Sequence, residues 1–128
     1  MILADTSVWI AARRQPLVAT ALQHLLDADE IALALPVRLE LLAGLALHQR
    51  AAFKRAMSGI PLIYPTDVTW RELVPVIEHA AEAGERFSMT DLLIGSLANE
   101  IGGLVWSLDK DFERMERLKL VSLYSLPH

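Results

Sequence analysis

Residues 2–10 read ILADTSVWI, and the change of pattern inside this stretch decides the fold. Residues 2–5 form an apolar run that ends in an acid, which predicts a short buried strand. Thr6 and Ser7 then place a hydroxyl before the next apolar segment, which predicts a capped helix over residues 8–12. A strand followed at once by a helix is the building unit of a parallel α/β sheet.

The rest of the chain continues this alternation without an internal repeat or a long linker. Further strands are predicted over residues 31–35, 60–64 and 104–108, with residues 120–126 as a fifth strand at the edge. Helices are predicted from Pro16, over residues 37–47 and 49–57, from Thr66 to Gly84, and over residues 88–101 and 111–118. We therefore expect an α/β fold in which helices cover both faces of a central, mostly parallel sheet of four to five strands.

Composition limits the class of protein. The 128 residues are 53% apolar and 22% charged, which excludes intrinsic disorder and predicts a single domain over residues 1–128. Stretches of about 18 residues without charge, which a membrane span needs, are absent, and the first residues carry no basic leader. We expect a cytoplasmic protein that does not enter a membrane.

The residue types that are missing or scattered exclude several chemistries. The chain has no cysteine, so disulfides, thiolate metal sites and cysteine nucleophiles are excluded. The histidines form no H-x-x-x-H pair, so a zinc site is not expected; they are His24, His48, His79 and His128. A formal net charge of −4 argues against a broad basic surface for nucleic acid, although an acidic metal site can account for such a charge.

Two acids stand where strands are predicted to end. Asp5 closes the first strand and Asp109 the fourth, and the carboxyl ends of parallel strands meet at one edge of the sheet. Asp91 lies in the first turn of a predicted helix, where the helix dipole favours a carboxylate without any function. Ordinary turn or helix-start acids would explain each residue alone, but two acids at equivalent positions of one sheet favour a site.

Glu40 is the most informative acid. Arg38 and Glu40 are the only charged residues between Pro36 and Leu47, and two residues of helix turn them about 200° apart. If Arg38 is exposed, the Glu40 carboxylate lies on the apolar side and needs a cation. The alternative is an exposed Glu40 with Arg38 at the rim, and periodicity leaves both interpretations open.

Three polar residues accompany these acids. Asp111 follows Asp109 by two positions and is interpreted as a second ligand, a water holder or only the cap of the following helix. Ser7 and Ser107 flank Asp5 and Asp109, where a hydroxyl can hold a water or a phosphate oxygen or simply satisfy the backbone. An all-carboxylate set selects hard cations such as Mg²⁺ or Mn²⁺, which suit phosphoryl chemistry.

Four segments together carry a family resemblance. They are residues 2–10 (ILADTSVWI), 40–44 (ELLAG), 90–98 (TDLLIGSLA) and 107–112 (SLDKDF). In this order and spacing, which span nearly the whole chain, they resemble the PIN domain, specifically the VapC-type toxins of bacterial toxin–antitoxin pairs. The resemblance implies a PIN-like three-layer α/β/α domain.

The resemblance also implies an activity and a set of site residues. It implies a Mg²⁺- or Mn²⁺-dependent endoribonuclease that a cognate VapB-like antitoxin holds inactive, leaving a 5′-phosphate and a 3′-hydroxyl. By position, the catalytic and metal-binding quartet would be Asp5, Glu40, Asp91 and Asp109. Asp111, Ser7 and Ser107 would be accessory residues, with Ser107 standing where the family more usually has Thr.

An RNA substrate requires cations near the acids. The basic residues closest to Asp109 in sequence are the preferred contacts, namely Lys110 and Arg114, with Arg13 and Arg14 after the first helix as further candidates. Other basic groups are Arg50, Lys54 and Arg55, and Arg117 and Lys119. Solvated helix faces explain most such charges equally well.

The apolar surplus predicts protein partners. Two leucine-rich helices could form a homodimer interface and a groove for an antitoxin helix, and a higher toxin–antitoxin assembly would extend this arrangement. The alternative is that these leucines pack in the core; they are Leu17, Leu22, Leu25 and Leu26, and Leu41, Leu42, Leu45 and Leu47.

Two other functions stay open. One is a non-catalytic PIN-like interaction module, and the other is a Mg²⁺-dependent phosphatase, which Ser7 disfavours because a second Asp is usual there.

Overall fold

The computed structural model describes residues 1–126, so Pro127 and His128 lie outside the described part of the chain. In chain order the elements are β1 (Ile2–Ala4), α1 (Thr6–Ala11), α2 (Pro16–Asp27), β2 (Ile31–Ala34), α3 (Leu35–Ala43), α4 (Arg50–Met57), β3 (Leu62–Ile63), α5 (Asp67–Glu82), α6 (Met89–Glu100), β4 (Leu104–Trp106) and α7 (Lys110–Arg117). A short 3₁₀ turn, Leu47–Gln49, precedes α4.

The four strands form one parallel sheet in the order β3-β2-β1-β4. β1 lies in the interior of the sheet, with Leu3 paired to Ala32 of β2 and to Val105 of β4. Helices flank the sheet in three α/β/α layers, which confirms the predicted fold class. Because β1 and β4 are parallel neighbours, the residues that follow them meet at the same edge.

The fifth strand predicted over residues 120–126 is wrong. The segment contacts β4 through one isolated parallel bridge between Val105 and Leu123, in which the Val105 N–H donates to the Ser122 carbonyl and the Tyr124 N–H donates to the Val105 carbonyl. No second bridge follows within residues 1–126, so the segment does not form a ladder; the Leu123 N–H, which faces away from β4, donates to the Glu116 carboxylate at 2.9 Å. β3 is also shorter than the predicted strand over residues 60–64.

Aspartates cap two helices for which the sequence analysis considers other capping residues. Asp5, and not Thr6 or Ser7, caps α1 and accepts a hydrogen bond from the Val8 N–H at 3.4 Å. Asp109 lies beyond the end of β4 and caps α7, accepting from the Asp111 N–H at 2.9 Å, so Asp111 is not the cap. Asp is as good an N-cap as Ser, and each helix begins one residue after the acid.

The predicted helix over residues 37–47 begins earlier and ends earlier. α3 starts at Leu35, directly after β2, with Pro36 in its first turn, where the missing N–H costs nothing. It ends before Gly44, because the chain then turns into the 3₁₀ segment, where the Gln49 side chain accepts from the Ala46 N–H.

α6 is the helix most deeply inserted in the core. Six of its twelve residues are buried, namely Leu92, Leu93, Ile94, Gly95, Leu97 and Ala98. Gly95 allows the close approach of the C-terminal segment, since a Cβ there would lie 2.7 Å from Cγ1 of Val121. Such packing gives the first turn of α6 a rigid base.

Several leucines that were considered for partner surfaces are buried in the core instead. Leu22, Leu25 and Leu41 are buried, whereas Leu17 and Leu47 are each 82% exposed.

Within residues 1–126, none of the helices combines the length and apolar character that a bilayer crossing needs.

Candidate active site

A cavity of about 430 Å³ opens at the carboxyl edge of the sheet, beyond β1 and β4. Its walls include five carboxylates, from Asp5, Glu40, Asp91, Asp109 and Asp111. The other lining residues are Thr6, Ser7, Ser88, Thr90 and Ile94, so no basic side chain within residues 1–126 lines it. Five acids without a lining cation repel one another, and the cavity therefore favours a bound cation.

Asp5 is the buried member of this set, with 5% of its surface exposed. The Ser7 hydroxyl donates to Oδ1 of Asp5, and the Ser107 hydroxyl donates to Oδ2 at 2.6 Å. Burial raises the pKa of Asp5, and these hydrogen bonds act in the opposite direction. The two donors hold both oxygens of one carboxylate in a fixed orientation.

The same hydroxyls join the ends of the two strands. Ser7 Oγ accepts from the Leu108 N–H, and Ser107 Oγ accepts from the Asp109 N–H, both at 3.0 Å. Each serine therefore donates to Asp5 and accepts from the backbone of the loop between β4 and α7. This network brings both predicted accessory serines against the Asp5 carboxylate, and Ser7 also lines the cavity.

Asp91 lies in the first turn of α6, half-buried in the wall of the cavity. Its N–H donates to Oγ of Ser88, which caps the helix as predicted. Burial, together with the charges of Asp109, Asp5 and Asp111, raises the pKa of Asp91 to about 6 against the opposing effect of the Ser88 hydrogen bond. A cation in the cavity would oppose both causes of this shift.

Three acids, Asp91, Asp109 and Asp111, form an inner group in this cavity. One carboxylate oxygen each from Asp91, Asp109 and Asp111 lie within 4.8 Å of one another. The donors are all oxygen atoms, which suits Mg²⁺ or Mn²⁺. The buried Thr6 hydroxyl oxygen, which has no hydrogen-bond partner among the described residues, belongs to a residue of the same cavity wall. The residues present thus fit a hydrated divalent cation.

The structure agrees with the second interpretation of Glu40, in which Glu40 is exposed and Arg38 lies at the rim. Its side chain is exposed on α3, while Arg38 is half-buried, so the idea that burial forces a cation onto Glu40 is wrong. Glu40 nevertheless lines the cavity, although it lies outside the inner group of three acids.

The predicted RNA contacts occupy different surroundings. Arg13 and Arg14 are exposed in the turn after α1, and Lys110 is exposed at the start of α7. Arg114 is different, because its guanidinium forms ion pairs with Glu85 and Asp111. The hydrogen bond with Asp111 is the main cause that raises the pKa of Arg114.

Sequence reasoning missed Glu85 and the cavity-wall role of Thr6. The spacing of Asp111 and Arg114, three residues apart on a helix, could have predicted their pairing. Glu85 lies 29 residues from Arg114, and no pattern in the sequence connects the two. Thr6 and Ser88 were considered only as helix caps, and Ser88 serves as one.

The comparisons with known proteins agree with this fold. The family model described as PIN domain matches residues 2–118. The structure of VapBC2 from Rickettsia felis bound to a DNA fragment from its promoter gives a TM-score of 0.79 at 17% identity, covering 99% of this chain and 100% of that chain. No curated protein sequence matches significantly.

Two further solved structures are similar. FitAcB from Neisseria gonorrhoeae gives a TM-score of 0.76 at 18% identity, covering 98% of this chain and 97% of that chain. VapBC-5 from Mycobacterium tuberculosis, a member of the VapBC family of toxin–antitoxin systems, gives 0.67 at 24% identity, covering 97% of each chain. With a family model that spans residues 2–118, the chain belongs to the PIN domain family.

Proposed function

We propose that this protein is a VapC-type toxin, a Mg²⁺- or Mn²⁺-dependent endoribonuclease inhibited by a cognate VapB-like antitoxin. The cavity with five carboxylates carries the proposal, because three of their oxygens lie within 4.8 Å of one another and, within residues 1–126, only Asp111 among the five has a basic ion-pair partner. We take residues 1–128 as one nuclease domain that acts in the cytoplasm.

The residues divide into distinct roles. Asp91 and Asp109 hold the metal together with Asp5, as the family resemblance implies, and Asp111 joins them because its carboxylate lies in the inner group. When bound, the divalent cation lowers the pKa of an attacking water and stabilises the leaving oxygen. Glu40, which is exposed and lines the cavity, helps to hold the metal or orients the water.

Ser7 and Ser107 keep the Asp5 carboxylate oriented toward the site. Both hydroxyls donate to Asp5, so they stabilise its charged form and restrict its rotation. We expect hydrolysis of an RNA phosphodiester to leave a 5′-phosphate and a 3′-hydroxyl, as in the family that the sequence resembles.

RNA binding is compatible with the net charge. Setting aside the four acids of the proposed quartet leaves twelve acidic and twelve basic residues, so the rest of the chain is formally neutral. The exposed Lys110, next to Asp109, is our preferred phosphate contact, with Arg13 and Arg14 as further contacts. Arg114 is not kept in this role, because its guanidinium is paired with Glu85 and Asp111.

Two observations support the proposed protein partners. Several similar structures are toxin–antitoxin pairs, VapBC2 and VapBC-5 among them, which supports an antitoxin partner and a higher toxin–antitoxin assembly. On α5, Trp70, Val74 and Ile77 are exposed at helical spacing and form an apolar stripe, which supports a homodimer. Light scattering on the isolated chain tests the dimer, and a monomer at micromolar concentration would contradict it.

The nuclease proposal is tested by incubating total RNA with Mg²⁺ and either the wild type or Asp5→Asn. We expect cleavage by the wild type only, and EDTA should abolish it. Asp67→Asn is a matched control, because Asp67 is an exposed acid in the first turn of α5, outside the cavity. Equal activity of the wild type and Asp5→Asn would contradict the assignment.

The two alternatives predict different results. A non-catalytic interaction module would bind an antitoxin but leave RNA intact. A phosphatase would trap phosphate on Asp5, which is disfavoured because both oxygens of this buried carboxylate already accept hydroxyl hydrogen bonds.

A further inference from the structure

Arg114 connects the acid cavity to the loop between α5 and α6. It lies one turn after Asp111 on α7, and its Nη2 donates to Oδ1 of Asp111 at 2.8 Å. Its Nη1 forms an ion pair with Oε2 of Glu85, and its guanidinium carbon lies 4.8 Å from the centroid of the Phe87 ring. Three partners from two separate elements therefore define the position of one guanidinium.

This arrangement is more than a solvated surface pair. The Arg114 and Glu85 side chains are about 30% exposed, at 31% and 29%, and Phe87 is buried in the core. A flat guanidinium that stacks on a buried ring and binds two carboxylates has lost most of its rotational freedom. Exposed single pairs on helices, by contrast, are usually weak and mobile.

The charges of Arg114 and Glu85 offset each other. Removing both therefore changes the long-range electrostatic field at the cavity little, whereas it removes the hydrogen bond that orients Asp111. The Asp111 carboxylate contributes an oxygen to the inner group of three acids. Its orientation is thus the property of the cavity that Arg114 controls most directly.

We propose that Arg114, anchored by Glu85 and Phe87, is a positioning residue that holds the Asp111 carboxylate at the metal site. It acts through Asp111 and makes no essential contact with RNA phosphate. The inference rests on the metal site of the proposed function. It assigns to Glu85, which no motif singled out, a role in the site through Arg114.

Titration of the intact protein with Mn²⁺ in the absence of RNA, followed by calorimetry, tests this proposal. The key variant is the double substitution Glu85→Gln with Arg114→Gln, which leaves the net charge unchanged. We expect the dissociation constant for Mn²⁺ to rise about ten-fold, the usual scale for losing a partner that orients a ligand. The matched control is Glu113→Gln with Arg117→Gln, an exposed acid and an exposed arginine of α7; this pair also leaves the net charge unchanged and should bind Mn²⁺ like the wild type.

The route through Asp111 is tested by combining substitutions. Asp111→Asn should weaken Mn²⁺ binding by at least as much as the double substitution. Adding Glu85→Gln and Arg114→Gln to Asp111→Asn should then cause no further loss, because the carboxylate that they position is gone. Arg114→Lys keeps the positive charge but lacks the planar fork of the guanidinium, so its affinity for Mn²⁺ should lie between that of the wild type and that of the double variant.

Several results would overturn the proposal. One is a double variant that binds Mn²⁺ like the wild type; another is a full additional loss in the Asp111→Asn background. If Arg114→Gln flattened the salt dependence of RNA binding while leaving Mn²⁺ affinity unchanged, Arg114 would be a phosphate contact instead. A wild type that binds no Mn²⁺ would contradict the proposed metal site itself. If the double variant does not fold, Glu85→Gln and Arg114→Lys answer the same question singly.

Discussion

The Ser107 hydroxyl donates a 2.6 Å hydrogen bond to Oδ2 of Asp5, across 102 residues of sequence. The two residues follow the parallel neighbours β4 and β1, and the contact exists because those strands end at the same edge of the sheet. A short hydrogen bond to a buried carboxylate is among the stronger types in proteins. It fixes the acid that lies deepest in the candidate site.

Ser107→Ala should lower the rate of RNA cleavage. The substitution removes one of two hydroxyl donors to Asp5, and a hydrogen bond to a charged group contributes about 1.5–3 kcal/mol. We expect kcat/KM to fall roughly ten-fold or more, and Ser107→Thr to stay near the wild type because it keeps the hydroxyl. Ser125→Ala, at an exposed position outside the cavity, is the control. Full activity of Ser107→Ala would show that Ser7 alone orients Asp5.

Asp91→Asn should stabilise the metal-free protein at alkaline pH. The folded pKa of Asp91, about 6, lies above its ordinary value of 3.8, so folding disfavours its charged form. The destabilising contribution is absent below pH 3.8, grows through pH 6 and is complete above it. With EDTA present, the Tm of Asp91→Asn should exceed that of the wild type at pH 8 and approach it near pH 4. An equal Tm difference between Asp91→Asn and the wild type at both pH values would contradict the explanation by the raised pKa of Asp91.

Mn²⁺ should stabilise the wild type and not Asp109→Asn. Binding to the folded state alone adds about 2.7 kcal/mol at a hundred times the dissociation constant, which shifts the Tm by several degrees. Asn caps helices as well as Asp does, so Asp109→Asn should keep α7 and lose only the negative charge. Thermal unfolding with and without Mn²⁺ measures the difference. An equal Mn²⁺ shift in the wild type and Asp109→Asn would place the metal elsewhere.

Gly95→Ala should destabilise the fold. The new Cβ would lie 2.7 Å from Cγ1 of Val121 and 3.0 Å from Cε of Met115. Such overpacking costs about 1–3 kcal/mol, while Ala gains up to about 1 kcal/mol over Gly inside a helix. We therefore expect a net loss of about 1 kcal/mol in denaturant unfolding. Gly59→Ala, with nothing within 4 Å of the added Cβ, is the control, and equal midpoints for the two variants would contradict the packing argument.

The sequence was sufficient to predict the layers of the fold and the edge where the acids gather. Apolar runs such as residues 31–34 predict buried parallel strands, and parallel strands necessarily bring their carboxyl ends together. The proximity of Asp5 and Asp109 follows from that geometry alone. The strand limits were less accurate, because β4 ends at Trp106 and leaves Asp109 to cap a helix.

Other features depend on tertiary packing that no local pattern encodes. Whether Glu40 is exposed depends on which side of α3 faces the core. Because this short helix is apolar on most sides, its sequence pattern does not predict that orientation. The pairing of Arg114 with Glu85 depends on how the loop between α5 and α6, which carries both Glu85 and Phe87, packs against α7. Periodicity can place each of these residues on an element, but it cannot say which distant group that residue meets.

The most direct test of the central claim is the chemistry of the ends produced from one defined RNA. An RNA that the wild type cleaves in Mg²⁺ should yield a 5′-phosphate and a 3′-hydroxyl, and both EDTA and Asp5→Asn should prevent the reaction. Cleavage that resists EDTA and leaves a 2′,3′-cyclic phosphate would mean attack by the ribose hydroxyl without a metal. That result would contradict a metal-dependent nuclease site built from Asp5, Asp91, Asp109 and Asp111.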